Sequence, residues 1–353
     1  MDNLYTAFLP RKIYGYSNSD TKMMVVARNI ILNSTLLTLR DFLTEGDLLI
    51  FNNSKLIPSS LHVYSTKLQE YLTVNIGTDR LSNLFLLEIR PRGTGFKLDK
   101  GDKLDLLDSS DSIILFKRHH IFPRYWWGIL NDDSNTIDNV IHKYGKFIRY
   151  DHIPFDIPAD YYEGLFYKVP GSVELPSASY SFDSKIIKEL IDRGIKIEEL
   201  TLHCNLGSLE PHEFLNKDRL MEERYSIPLR TIKSILEARK RRNKVIAVGT
   251  TVVRALETIV ELTSGTFRMI EMLEQNNKGV ISGTTSAFIN RNHRIKMVDG
   301  IITGMHEKEG SHIMMLEAFQ DSDTINRMSK NAIEWGYSYH EFGDLSLIFL
   351  NKN

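Results

Sequence analysis

The chain has little of what would mark a secreted, membrane-bound or metal-cluster protein. Cys204 is its one cysteine among 353 residues, so neither an internal disulfide nor a cysteine-based metal cluster can form. The opening residues, MDNLYTAFLPRK, lack the apolar run of a secretion signal. No stretch approaches the roughly 18 consecutive apolar residues of a membrane span. We therefore predict a cytoplasmic protein without a membrane partner.

An excess of either charge is also missing. Lys and Arg total 44 against 45 Asp and Glu, which gives a formal net charge of -1. Any contact with nucleic acid must therefore use a local basic patch. The 42% hydrophobic and 25% charged content is typical of globular proteins, and the length favours two domains or one large domain.

A change of texture along the chain predicts two domains. Between about residues 61 and 145, short apolar segments such as YLTVNIG, LFLLEIR and SIILFKR alternate with turn signals such as Gly93-Thr94-Gly95. Short strands at this spacing indicate a small antiparallel barrel or sandwich. Residues 1–60 and 146–353 are predicted to form the main domain around this insertion.

The main domain shows an α/β pattern. Strands are predicted at 22–27, 48–51, 195–202 and 245–248, and helices at 184–193, 231–242 and 251–262. Asp183 is a suitable N-cap for the first of these helices, and Gly194 suits the position after its end. The order of helices and strands favours a parallel or mixed sheet with covered faces. The segment 265–279 fits either a strand or a helix.

The sharpest local motif is KVIAVGTTVVRALETI, residues 244–259. A buried strand runs into Gly249, and Thr250 and Thr251 open a helix whose N-terminus favours a negatively charged group. Arg254 and Glu257 fall on one face of that helix. An ordinary strand–turn–helix with a capping threonine and a surface ion pair explains the same pattern, because the full glycine set of a nucleotide-binding loop is missing.

A second motif is ELTLHCNLGSLEP, residues 199–211. His203 lies at the carboxyl end of a predicted strand, where α/β sheets bind ligands, and Gly207 follows in an irregular loop. A histidine at this position can act as an acid, a base or a hydrogen-bond donor. A structural histidine bonded to the backbone is the alternative, and the lone Cys204 is expected to be inert.

Two further segments carry weaker patterns. His306 lies in a predicted polar loop and His312 begins an apolar helix, but their spacing and the absence of a carboxylate cluster argue against zinc. We therefore predict no metal site. The basic run ARKRRNK, residues 238–244, suits either phosphate contacts or a solvated helix end.

Taken together, several stretches resemble the S-adenosylmethionine:tRNA ribosyltransferase-isomerase family of queuosine biosynthesis. They are GDLLIFNNSKLIPSSL, PGSVELPS, TLHCNLGSLEP, NKVIAVGTTVVRALE, KMVDGIITGMH and FGDLSLIF, in family order along essentially the whole chain. The resemblance implies an α/β main domain with an inserted small antiparallel β-barrel domain. It also implies transfer and isomerisation of the ribosyl group of S-adenosylmethionine onto 7-aminomethyl-7-deazaguanine in tRNA. Epoxyqueuosine, adenine and methionine are the products, and no cofactor beyond the substrate S-adenosylmethionine is needed.

The resemblance also implies site residues. The expected catalytic set is His203, Glu223 and His306, with His203 and Glu223 carrying most of the proton transfer. The expected S-adenosylmethionine-binding set is Gly207, Gly249, Thr250, Thr251 and Arg254. The expected acceptor- or RNA-binding set is Asn53, Lys55 and Arg90.

Departures from the family pattern keep two alternatives open. Ser181, Asp218 and Met221 stand where the family has histidines. The loss of these histidines favours a divergent enzyme that uses S-adenosylmethionine on a different acceptor. The second alternative is a non-catalytic RNA- or ligand-binding relative, and the retained GTTVVRALE and His203 argue against it. The sequence leaves the acceptor and the oligomeric state undetermined.

Overall fold

The structure is a computed structural model, and it describes residues 5–14, 18–81, 83–131, 135–149, 152–153, 155, 157–207, 219–262, 279–306 and 310–351. The strands are β1 (Tyr5–Thr6), β2 (Lys22–Ala27), β3 (Ile30–Thr35), β4 (Leu48–Asn52), β5 (Ser54–Leu56), β6 (Ser60–Ser65), β7 (Glu70–Leu81), β8 (Leu84–Arg90), β9 (Lys103–Leu106), β10 (Ser112–Arg118), β11 (Tyr125–Leu130), β12 (Val169–Ser172), β13 (Lys196–Leu202), β14 (Arg219–Pro228), β15 (Val245–Val248), β16 (Val280–Ala287), β17 (Gly300–Gly304), β18 (Ser338–Tyr339) and β19 (Leu345–Phe349). The α-helices are α1 (Ile137–Tyr144), α2 (Ser184–Asp192), α3 (Leu229–Lys240), α4 (Thr250–Leu262), α5 (Ser311–Leu316) and α6 (Ser322–Glu334). Short 3₁₀ helices lie at Arg11–Tyr14, Asn18–Asp20, Leu36–Asp41, Thr94–Lys97, Ala159–Tyr162 and Ser177–Ser179.

The main domain is built on a nine-stranded mixed sheet in the order β16-β14-β13-β4-β15-β17-β19-β2-β3. Strands β13, β4, β15 and β17 are parallel neighbours and form the centre. Each of the four is followed by residues of the motifs identified in the sequence. Since parallel strands end at one edge of a sheet, those motifs meet there.

Both faces of the sheet are covered, which explains the continuous apolar runs of its central strands. On one face, Leu48 and Ile50 of β4 share a core with the apolar sides of α3 and α4. On the other face, Leu49 and Phe51 pack with residues of α2. Among the described residues, no helix combines the length and hydropathy needed to cross a lipid bilayer.

The inserted domain is a closed antiparallel barrel of six strands in the order β10-β11-β8-β7-β6-β9. Its interior is filled by one apolar cluster, to which helix α1 contributes Ile137, Val140 and Ile141. The predicted fold class, an α/β main domain with an inserted small antiparallel β-barrel, is therefore confirmed. The predicted domain limits at residues 61 and 145 stay a prediction.

Most local predictions for the main domain agree with the structure. Asp183 caps α2 by accepting a hydrogen bond from the Ile186 N–H at 2.9 Å, and Gly194 adopts a φ of +79° after the helix end. Helix α3 begins at Leu229, directly after Pro228, and not at residue 231 as predicted. All of segment 265–279 except Gly279 lies outside the described residues.

Strand β14 is a main-domain element that the sequence analysis did not predict. Its sequence, RLMEERYSIP, contains charged neighbours that obscure an alternation of buried Met221, Glu223, Tyr225 and Ile227. The strand pairs antiparallel with β13 and β16, which carries Glu223 to the edge where β13 ends.

Candidate active site

His203 follows the end of β13, and its imidazole lies in a network of hydroxyl groups. Its Nδ1 is 2.7 Å from Ser54 Oγ, which is 2.6 Å from Ser172 Oγ. Ser172 Oγ in turn accepts the Cys204 N–H at 2.9 Å. The neighbouring Gly171 has a φ of +153°, and a Cβ there would lie 2.4 Å from Nδ1, so this position has no room for a side chain.

The electrostatic surroundings of His203 favour a neutral ring. Burial is the main cause that lowers its pKa below the ordinary 6.5, and the positive charge of Arg224 adds to this effect. The half-buried imidazole can therefore accept a proton at neutral pH. The adjacent Cys204 is buried, and desolvation raises the pKa of its thiol, which agrees with the inert cysteine predicted from the sequence.

Glu223 and Arg254 form a buried ion pair between β14 and α4. One carboxylate oxygen of Glu223 accepts from Arg254 Nη2, and the other accepts the Asn205 N–H at 3.1 Å. Burial raises the pKa of the Glu223 carboxyl, against the opposing charge of Arg254. The guanidinium that the sequence assigns to S-adenosylmethionine thus already holds a carboxylate of this chain.

Arg254 and Glu257 are not the surface ion pair that their spacing also allows. Both side chains are buried, and Glu257 has partners of its own. Its carboxylate accepts the Met297 N–H at 2.7 Å and lies 3.2 Å from His293 Nε2. Glu257 therefore anchors the segment before β17, whereas Arg254 faces Glu223.

Asn205 is a site residue that the sequence analysis missed. Its side chain is fully buried, and Oδ1 accepts the Thr78 N–H at 2.9 Å while Nδ2 donates to Asp79 Oδ2 at 2.8 Å. These contacts join β7 of the barrel to the loop that binds Glu223. An asparagine between Cys204 and Leu206 was the available signal, because a polar residue in an apolar stretch needs partners.

Glu174 is a second missed residue, in the PGSVELPS loop. Its Oε1 accepts the N–H of Gly207 at 3.2 Å. Burial raises its pKa to about 7, and the negative charges of Glu88 and Glu223 act in the same direction. The sequence signal is an acidic residue between Val173 and Leu175, both of which are buried.

Gly249 directly follows β15 and has a φ of +103°, a conformation that favours glycine. Its N–H donates to the Ile302 carbonyl at 2.8 Å, so this donor is used within the protein. Thr250 begins α4, and the Thr251 hydroxyl accepts from Asn52 Nδ2 at 3.2 Å. The Gly249–Thr251 turn, which is predicted to bind S-adenosylmethionine, lies at the ligand edge of the main sheet, where its parallel strands end. Thr250 is half-buried in the first turn of α4.

His306 and His312 lie together although six residues separate them. Their rings stack with centroids 4.2 Å apart, and His306 Nε2 is 2.9 Å from Thr303 Oγ1. Desolvation, more than the charges of His312 and His340, lowers the pKa of His306 well below its usual value. The fold brings the two rings together, which a spacing of six residues on one helix would not.

The three residues assigned to the acceptor are spread more widely. Asn53 donates to Glu199 Oε2 at 3.1 Å, and Lys55 pairs with Glu163 at 2.6 Å. Arg90 lies on the barrel, where its Nε donates to Glu88 Oε2 at 2.9 Å. Contacts within the chain thus engage all three side chains.

The positions of the lost family histidines differ in their surroundings. Ser181 is buried, and Met221 packs in an apolar cluster with Leu206 and the barrel residues Phe122 and Tyr125. Asp218 lies outside the described residues. The basic run 238–244 precedes β15 and therefore lies at the sheet edge opposite the candidate site.

The protein is thus an α/β protein with an inserted barrel. The polar groups of its candidate site gather at the ligand edge, where the parallel strands of the main sheet end. Residues 14–348 match a family model described as a queuosine biosynthesis protein, and the chain belongs to this family.

Two relatives illustrate the match. The S-adenosylmethionine:tRNA ribosyltransferase-isomerase of Thermotoga maritima is 30% identical over 311 residues, covering 87% of this chain and 86% of the relative. The protein of the same name from Blochmanniella floridana is 30% identical over 358 residues, covering 96% of each. A crystal structure of S-adenosylmethionine tRNA ribosyltransferase from Thermotoga maritima shares the fold, with a TM-score of 0.52, 23% identity and coverage of 98% of this chain and 96% of that one.

Proposed function

We propose that this chain transfers the ribosyl group of S-adenosylmethionine to 7-aminomethyl-7-deazaguanine in tRNA and isomerises it, giving epoxyqueuosine with release of adenine and methionine. The proposal includes a cytoplasmic location and no metal or other cofactor. The observation that carries it is family membership over residues 14–348. Relatives named for this activity align along nearly the whole chain.

His203 is the proposed base. The positive sulfur of S-adenosylmethionine acidifies the C–H bonds of the adjacent carbon, so a neutral imidazole can remove a proton there. The lowered pKa of His203 keeps the ring unprotonated at neutral pH. The proton moves to the imidazole, and the electron pair of the broken C–H bond stays on the carbon next to sulfur.

Glu223 is the proposed second proton-transfer residue beside His203, and His306 is the alternative candidate for this role. Adenine leaves with a proton, which a carboxylic acid of raised pKa can supply. Arg254 holds the Glu223 carboxylate before substrate binds. If the methionine carboxylate of the substrate binds Arg254, Glu223 loses part of its counter-charge and its pKa rises further.

A divergent enzyme with another acceptor is the second candidate. The packing of Met221 in an apolar cluster favours it, because a family histidine position here has no group that can titrate or donate a hydrogen bond. Contacts of Asn53 and Lys55 with carboxylates of this chain point the same way. This candidate keeps S-adenosylmethionine as the ribosyl donor.

Adenine release separates these possibilities. The purified protein is mixed with S-adenosylmethionine alone, with unmodified tRNA, and with tRNA that carries the aminomethyl-deazaguanine precursor, and adenine is measured by chromatography. Release with the precursor-carrying tRNA only supports the proposal. Release with unmodified tRNA indicates another acceptor, and no release with any RNA contradicts the enzyme assignment.

A further inference from the structure

Two phenylalanines of the inserted barrel are exposed, although large apolar side chains are usually buried. Phe96 lies in the 3₁₀ helix Thr94–Lys97 and is 58% exposed, and Phe116 lies on β10 and is 40% exposed. The β10–β11 ladder shifts its register between Leu115 and Lys117, so Phe116 is the extra residue of a bulge. Bulges often re-aim a side chain beside a functional surface.

Basic side chains lie beside both exposed rings. Lys100 Nζ and Lys117 Nζ are 5.5 and 5.9 Å from the centroid of the Phe116 ring. The Arg118 guanidinium is 5.4 Å from the Phe96 centroid, and its Nη2 donates to the Phe96 carbonyl at 3.3 Å. These contacts join the segment 94–101 and the end of β10 into one surface. The barrel-end surface, as we name it, consists of Phe96, Lys97, Lys100, Phe116, Lys117 and Arg118.

The positive charge of the barrel-end surface is largely unbalanced. The acidic side chains within its segment 94–101 and next to it, Asp99 and Asp102, both bind Lys67, at 2.6 and 2.8 Å. Arg118 donates to backbone carbonyls, which leave its charge in place. In the part of the chain that the structure describes, three exposed lysines form no ion pair: Lys97, Lys100 and Lys117. The surface is therefore a local basic patch within a chain whose formal net charge is -1.

The barrel-end surface adjoins the candidate active site. The Arg118 guanidinium lies 4.4 Å from the centroid of the Trp126 ring. The preceding residue, Tyr125, donates its hydroxyl to the Leu206 carbonyl at 2.9 Å, in the loop that follows β13. Two consecutive residues of β11 thus connect the surface with the site. A strand that places one nucleotide in the site can place neighbouring nucleotides on the surface.

We propose that the barrel-end surface binds tRNA, with the lysines at backbone phosphates and the two phenylalanine rings against unpaired bases. Phosphates supply the negative charge that the lysines lack, and unpaired bases stack on aromatic side chains. An acidic peptide would match the lysines but would leave both rings without a partner. The inference rests on the proposed function, which supplies tRNA as the partner, and it adds a binding surface outside the candidate active site.

Removal of charge is the first test. Filter binding measures the affinity of the full-length protein for an unmodified tRNA transcript at several salt concentrations, without S-adenosylmethionine. Lys100→Ala/Lys117→Ala should make the slope of log affinity against log salt concentration shallower by about 1.5 units, because each phosphate contact contributes about 0.7–0.9. The control Lys185→Ala/Lys188→Ala removes two exposed lysines of α2 and should keep the wild-type slope. An unchanged slope in the first variant, or an equal change in the control, would overturn the proposal.

Removal of a ring is the second test. Phe96→Ala should weaken tRNA binding about tenfold at every salt concentration and leave the slope unchanged, because stacking on a base involves no counterion. Phe96→Tyr keeps a ring that stacks and should bind like wild type. The matched control is Tyr71→Ala, which removes an aromatic ring that is 75% exposed elsewhere on the barrel. Unchanged affinity in Phe96→Ala, or an equal loss in Tyr71→Ala, would contradict a stacking role.

The basic run 238–244 is the competing phosphate contact. Lys240→Ala/Arg241→Ala should leave the salt slope unchanged, since this run lies at the opposite edge of the main sheet. A shallower slope in this variant and none in Lys100→Ala/Lys117→Ala would assign the phosphates to the run and overturn the inference.

The inference and the proposed function fail separately. A wild type that releases adenine, together with surface variants that bind tRNA normally, refutes the inference alone. A wild type that binds tRNA through the barrel-end surface but releases no adenine with any tRNA refutes the proposed function alone. A wild type that binds no tRNA overturns the inference.

Discussion

Two ion pairs of the main domain lie in contrasting surroundings. The side chains of Arg254 and Glu223 are 9% and 5% exposed, whereas those of Lys55 and Glu163 are 36% and 54% exposed. Charges in the first pair have lost their water and depend on each other, while water can replace either partner in the second. The Glu223–Arg254 pair, the inner pair, therefore holds a fixed geometry near the proposed proton-transfer groups. The Lys55–Glu163 pair can exchange its contacts with water.

Breaking the inner pair should have the largest effect. Arg254→Ala leaves the Glu223 carboxylate buried without its counter-charge, so we expect the free energy of unfolding to fall by about 3–5 kcal/mol. Urea denaturation measures the change. The double variant Glu223→Gln/Arg254→Met, which removes both charges, should recover part of the loss. A decrease of less than about 1 kcal/mol in Arg254→Ala would mean that water reaches the ion pair.

His203→Gln should leave stability nearly unchanged and slow the reaction. Glutamine keeps the hydrogen bonding but cannot titrate, so adenine release should fall about a hundredfold or more. In the wild type, the acid limb of the pH–rate profile should lie below pH 6.5, because the pKa of His203 is lowered from that value. His62→Gln, at an exposed barrel position, is the control. A rate within about threefold of wild type would assign the base elsewhere.

Glu174→Gln should reveal a half-buried acid by its pH dependence. The folded protein holds this proton up to a pKa of about 7, against an ordinary value of 4.5. The contribution of Glu174 to the free energy of unfolding therefore falls as the pH rises from 4.5 to about 7. Above that range the cost of burying its charged form stays constant. At pH about 8 the variant should be more stable by about 1–3 kcal/mol, and at pH about 5 the advantage should mostly disappear. Thermal unfolding at both pH values measures this stability difference, and Glu70→Gln is the exposed control. A difference that does not depend on pH would contradict the assignment.

Lys55→Ala should have the smallest effect on stability, about 0–1 kcal/mol, because its ion pair is exposed. If Lys55 contacts RNA, the salt dependence of tRNA binding should also become shallower by about one unit of slope. Filter binding at several salt concentrations measures this slope. An unchanged slope would remove Lys55 from the acceptor surface.

Local order was largely predictable from the sequence because it depends on neighbours. Turn signals located the barrel strands, Asp183 and Gly194 marked the ends of α2, and apolar runs located β4 and β15. The ligand edge followed from parallel strands ending together, so His203 and Gly249 could be placed there.

The pairings across the site were not predictable. Glu223 and Arg254 meet only because β14 lies antiparallel beside β13, and its charged residues hid the strand pattern. Asn205 owes its role to a barrel strand more than a hundred positions earlier, where it binds Thr78 and Asp79. Such contacts depend on strand order and packing, which one sequence without its partners in space does not specify.

The most direct test follows the atoms of the ribosyl donor. S-adenosylmethionine is supplied in two forms, one labelled in the ribosyl carbons and one in the methyl carbon, together with precursor-carrying tRNA. Nucleosides from the recovered RNA are then analysed by mass spectrometry. The account predicts that the ribosyl label enters the RNA and that the methyl label leaves with methionine. Methyl label in the RNA, or no label from either form, would contradict it.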